Sequence, residues 1–105
     1  MDARPVRARV SCLAAALAIA ASSACAKPLS ETECNELLDH YVALLVSSDR
    51  PGTPESEVYK LKAKARARAR TDPAFLECGR RVSRRSFECA MQAKNPDRVE
   101  QCLLF

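Results

Sequence analysis

The sequence predicts a small all-α protein: a disulfide-stapled bundle of about four helices behind an N-terminal signal peptide. Three observations lead there. Capping side chains precede prolines at Thr53-Pro54, Asp72-Pro73 and Asn95-Pro96, each pair marking a helix start. Four cysteines, Cys34, Cys78, Cys89 and Cys102, lie in the body of a short chain. An uncharged run from Val10 to Ala21 follows Arg4, Arg7 and Arg9.

The N-terminal order is basic, then apolar, then small, with Ser22, Ser23, Ala24, Cys25 and Ala26 closing the run. This is the layout of a secretory signal peptide. The apolar stretch is shorter than the roughly 20 residues that a membrane-spanning helix needs. The expected organisation is therefore 1–24 signal peptide, 25–30 tether, and 31–105 helical four-cysteine domain. The whole chain has 105 residues and a net charge of +4. Losing Asp2, Arg4, Arg7 and Arg9 removes one negative and three positive charges, so +4 becomes +2. A body of about 80 residues buries only a modest core and gains much from covalent staples.

Ser30-Glu31-Thr32-Glu33 fits a capping box and opens the first helix, which should run to about Ser48. At 100° per residue, Cys34, Leu37, Leu38, Tyr41, Leu44 and Leu45 share one broad face, and Asn35, Glu36, Asp39 and Ala43 share the other. Asp49-Arg50-Pro51-Gly52 supplies a turn. The second helix is expected over about 54–70. Its run from Lys60 to Arg70 alternates with period two, yet alanine, lysine and arginine favour helix over strand. Val58, Leu61, Ala65 and Ala69 then form a narrow stripe flanked by cations. The third helix is expected as one continuous element over about 73–93. Phe75, Cys78, Gly79, Val82, Ser86, Cys89, Ala90 and Ala93 should face inward, and Arg80, Arg81, Arg84 and Arg85 outward. A short fourth helix from Pro96 should turn Val99, Cys102 and Leu103 to the core.

An even number of body cysteines in an exported domain argues for two disulfides. Cys78 and Cys89, eleven residues apart on one helix, would lie about 16 Å apart along its axis, beyond bonding range. The turn at Asn95-Pro96 folds the last helix back, so Cys102 should meet Cys89. That leaves Cys34 for Cys78. A metal site is disfavoured: no C-x-x-C occurs, and His40 is the only histidine.

The stretch Cys78-x10-Cys89-Ala-Met-Gln-Ala-Lys-Asn-Pro-Asp-x-x-Glu-x-Cys102, with Cys34 upstream, resembles small exported bacterial lipoproteins with four body cysteines and no assigned activity. The resemblance implies export, a helical disulfide domain and lipid attachment. Ser22-Ser23-Ala24-Cys25 offers small residues before a cysteine, with serine where a lipobox carries leucine. Lipidation of Cys25 would anchor the chain in the envelope, facing periplasm or exterior. The rival is ordinary cleavage after Ala26, which releases a soluble periplasmic or secreted protein.

No catalytic constellation, phosphate loop or cofactor fingerprint is visible, so the expectation is a non-enzymatic structural or interaction protein, with an envelope protein or an anionic polymer as its partner and without a cofactor or small-molecule substrate. His40 is expected to be structural. Early acidic residues Glu31, Glu33 and Glu36 suit the first helix's dipole. Lys60, Lys62, Lys64, Arg66, Arg68, Arg70, Arg80, Arg81, Arg84 and Arg85 could bind anionic lipid headgroups or polysaccharide. The competing reading of these cations is a solvated face paired with the acidic first helix. Nucleic acid is not an expected partner, because aromatic interleaving is absent and export removes it from reach.

Overall fold

The structure is a computed structural model and describes residues 27–104. Among them are six helices and no strand: α1 (Glu31–Asp49), α2 (Glu55–Ala69), α3 (Pro73–Leu76), α4 (Cys78–Arg81), α5 (Arg84–Met91) and α6 (Pro96–Leu103). The expected signal peptide and Cys25 lie outside the described residues.

Ser30 starts α1 through a complete capping box. Its hydroxyl accepts from the Glu33 N–H at 3.1 Å, and its own N–H donates to Glu33 Oε1 at 2.9 Å. The helix stops at a turn whose Gly52 adopts φ +86°, a left-handed backbone that glycine takes without a side-chain penalty. Asp72 and Asn95 cap as expected. The Asp72 side chain accepts from the Ala74 N–H at 2.9 Å, and Asn95 Oδ1 accepts from the Arg98 N–H at 2.8 Å. Thr53 does not cap α2. Its hydroxyl donates to the Arg50 carbonyl at 2.6 Å and closes the preceding turn, so extended Pro54 takes the cap position. Glu55 and Glu57 in the first turn, and Arg66 and Arg68 in the last, suit the dipole of α2 instead.

The single helix expected over 73–93 is broken twice. Glu77 separates α3 from α4, and Val82 leaves the helix at φ −99°, ψ 119°. Ser83 then caps a new helix, accepting from the Ser86 N–H at 3.0 Å. The break has a packing reason. Extended Val82 lies against both hydrophobic clusters, as does Phe87 on the following helix.

One cluster contains Leu37, Ala90, Ala93, Val99 and Cys102; the other contains Leu29, Cys34 and Cys78. Of the span 25–30 expected as a tether, Leu29 is only 5% exposed and Ser30 is the α1 cap. Both therefore belong to the folded domain. The backbone at Leu29 passes so close to α4 that a Cβ on Gly79 would lie 2.8 Å from the Leu29 carbonyl oxygen.

Two disulfides hold the clusters, Cys34–Cys78 and Cys89–Cys102, with Cα separations of 6.3 and 5.6 Å. The pairing matches the expectation, but Cys78 and Cys89 sit on separate helices rather than one rigid rod. Disulfides of this kind are consistent with an exported, non-cytoplasmic protein. In the chain-entropy model, the loops of 44 and 13 residues contribute about 4 and 3 kcal/mol.

The centre of the bundle is α1. One side packs on the hairpin of α5 and α6, and α2 lies along another. The α1 surface expected to be polar is thus partly covered. Asn35, Asp39 and Ala43 are half-buried, and only Glu36 of that set is exposed.

Candidate functional site

The cations of α2 are sorted by simple helical geometry. Residues spaced two apart turn through 200°, so an alternating sequence divides into two rows. Lys60, Lys64 and Arg68 form one row; Lys62, Arg66 and Arg70 form the other. Between them on the inner side runs the apolar stripe. Val58, Leu61 and Ala65 are half-buried and Ala69 is buried, which seats α2 against α1.

Among these six cations only Arg66 forms an ion pair with a described residue; in its own row Lys62 is half-buried and Arg70 is exposed. Arg66 forks onto Asp39 of α1: Nε donates to Oδ1 at 3.0 Å, and Nη2 donates to Oδ2. This bond to the carboxylate raises the Arg66 pKa further above its ordinary value. On the opposite row, Lys60, Lys64 and Arg68 are all exposed, and none forms an ion pair with another described residue. Lys64 and Arg68 border a shallow groove of about 300 Å³ between α1 and α2, lined on its α1 side by Val42, Leu45, Val46, Asp49 and Arg50.

The arginines of the 80–85 segment do not form one free face. Arg84 is drawn to the α1 N-terminus, where Nη1 donates to Glu33 Oε2 at 2.6 Å and Nη2 to Oε1 at 3.2 Å. Arg84 Nη2 also lies 3.4 Å from the Lys27 carbonyl oxygen. Arg80 pairs with Glu77 at 3.3 Å across exposed helix surface. Arg81 and Arg85 are exposed, with no ion pair to a described residue. Of the ten cations singled out in the sequence, Arg66, Arg80 and Arg84 are therefore engaged by carboxylates.

Glu33 shows what that pairing does. The Arg84 guanidinium, followed by the Ser30 backbone N–H, holds its carboxyl down to about 2 from an ordinary 4.5. The same side chain thus caps α1 and ties it to α5.

His40 is half-buried, and its Nε2–H donates to the Ala93 carbonyl at 3.1 Å. It fastens α1 to the chain just beyond α5, a structural placement. Two features escaped the sequence. The Tyr41 hydroxyl donates to Glu100 of α6, and this bond raises the phenol pKa above 10.0. An apolar groove of about 470 Å³ runs beside the Cys34–Cys78 disulfide, bordered by Leu38, Phe75, Val82 and Leu103. Helical spacing had marked those side chains as core; no local signal shows that the helices leave space between them.

Among the described residues, no group of three His, Cys, Asp or Glu side chains could hold a metal ion. No described helix is long and apolar enough to cross a membrane. Comparison of the chain with protein-family models, with curated proteins and with solved structures gave no match in any of the three.

Proposed function

We propose that this chain is an exported, non-enzymatic cell-envelope protein, held at a membrane by a lipid on Cys25, that engages anionic envelope components through Lys60, Lys64 and Arg68. The observation that carries this reading is the unequal treatment of the two α2 rows. One row is half-buried at Lys62 and Arg66, and its Arg66 forms the bidentate pair to α1, leaving Arg70 exposed at the helix end. Every member of the other row is exposed and free of carboxylate partners among the described residues. Cations that stabilise a fold are drawn into pairs, whereas cations facing solvent on a packed helix remain available to a polyanion. Disulfide stapling fits the compartment in which such components occur, and the four-cysteine resemblance points the same way.

A basic side chain near an anionic bilayer surface contributes about 1 kcal/mol. Replacing Lys60, Lys64 and Arg68 with glutamine should therefore weaken binding by about 3 kcal/mol, roughly a hundredfold. The test is binding of the oxidised protein to phosphatidylglycerol-containing vesicles and to an acidic polysaccharide over a salt series. Salt-sensitive binding that collapses in the triple variant is expected; binding indifferent to the triple substitution refutes the role of this row. Intact mass of natively expressed protein tests the anchor: an acylated N-terminal Cys25 is expected, and a chain beginning at Lys27 refutes it.

A further inference from the structure

We infer that the anionic partner is the lipid bilayer itself, with α2 lying in the plane of its surface and Tyr59 seated among the headgroups. The inference rests on the reading of α2 as an anion-binding face and names its partner.

Three observations carry it. First, the charge of α2 is one-sided along its length. Its carboxylates are confined to Glu55 and Glu57 in the first turn, and from Val58 to Ala69 every charged side chain is cationic. Second, the outward surface carries a third stripe between the two cationic rows. Tyr59, Ala63 and Ala67, spaced four apart, are all exposed, and Tyr59 is 74% exposed. Sugar rings stack on an exposed phenol, so an acidic polysaccharide also uses Tyr59, but it draws little from the row of methyls at Ala63 and Ala67 beside it. A bilayer interface uses both, since tyrosine places an apolar body beside the acyl boundary and its hydroxyl in the headgroup region. The alanine methyls let the helix lie close to such a surface, while the lysine and arginine stems reach sideways to the phosphates. Third, α1 backs α2 along the opposite side through Leu61, Ala65 and Ala69, so the Tyr59–Ala63–Ala67 stripe is presented on a supported helix.

The chain contains no tryptophan, so Tyr59→Trp places a sole indole reporter on this stripe. The high exposure of Tyr59 makes the substitution compatible with the fold, which a matching urea unfolding curve checks. The oxidised full-chain variant is mixed with phosphatidylcholine vesicles, with vesicles that also contain phosphatidylglycerol, with the latter carrying brominated acyl chains, and with a soluble acidic polysaccharide. The signal comes from α2 alone, so an acyl anchor or apolar N-terminus binding the same vesicles does not imitate it.

The expected result is a blue shift on the phosphatidylglycerol vesicles, quenched by the brominated chains. Both effects should vanish when Lys60, Lys64 and Arg68 are also replaced with glutamine. An equal shift on phosphatidylcholine alone overturns the charge-led docking. Charge-dependent binding without shift or quenching overturns the seating of Tyr59, as does an equal shift on the polysaccharide; in either case the anion-binding reading stands. Absence of charge-dependent binding to vesicles and to polysaccharide overturns both.

Discussion

Arg84 reaches across 51 residues of sequence to grip both carboxylate oxygens of Glu33. Glu33 simultaneously accepts the Ser30 N–H at the start of α1. One carboxylate therefore serves a local cap and a tertiary tie, and it joins the first helix to the element that follows the break at Val82.

This relationship sets a pH dependence. Glu33 has its folded pKa depressed from 4.5 to about 2. Its contribution is therefore fully present above about 4.5 and is lost as pH falls toward 2. Because the pair is partly exposed, solvent screening keeps the contribution modest. Urea unfolding between these limits should show stability falling with acid in the natural protein and a shallower fall in Glu33→Gln. Parallel curves for the two proteins would contradict the assignment.

The second ionisable tie works at the other end of the scale. Tyr41 donates to Glu100, and ionising the phenol would set two negative groups against each other. Its raised pKa means that the contribution is complete below 10.0 and is lost as pH rises through the folded value. An ultraviolet phenolate titration should contain a step above 10.0 that is missing from Tyr41→Phe and moved down in Glu100→Gln.

Gly79 tests the packing of the N-terminal segment. A methyl group there would come 2.8 Å from the Leu29 carbonyl oxygen. Alanine gains up to about 1 kcal/mol of helix propensity over glycine, but a clash with backbone in a packed site costs about 1–3 kcal/mol. Gly79→Ala should therefore be destabilising by about 1 kcal/mol, read from the urea midpoint. In a form starting after Leu29 the same substitution should be neutral or stabilising.

The two staples should differ in weight. Removing Cys34–Cys78 as a double serine variant should cost about 4 kcal/mol and removing Cys89–Cys102 about 3 kcal/mol, because the first closes the longer loop. A domain with a total of about 5–15 kcal/mol would lose much of its stability in either case. Urea unfolding of both variants checks the order; equal losses would show that closure entropy does not dominate here.

The helix starts at Ser30, Asp72 and Asn95 were legible because a cap is a bond between residues two or three apart. Cys89–Cys102 was legible for a related reason: a short turn at Asn95-Pro96 brings two nearby segments together. The inward set Phe75, Cys78, Val82, Cys89, Ala90 and Ala93 also keeps its place, even though the helix assumed to carry it is divided. That division has one local sign, Ser83 as a cap for the Ser86 N–H, set among arginines that favour a continuous helix. Thr53 misled in the opposite direction: a residue able to cap α2 instead closes the turn before it.

By itself, the amino-acid sequence determined the helical character of the chain, the two staples and the separation of the α2 cations into two rows. Each follows from periodicity, capping or the reach of a hairpin, and each operates over a few residues. Only the tertiary structure decided which cations are neutralised, where the third segment breaks, and that Leu29 is core rather than tether. Arg66 finds Asp39 across 27 residues and Arg84 finds Glu33 across 51. Such pairs depend on which faces of α1 the other elements cover, a matter of packed volume that no local pattern encodes.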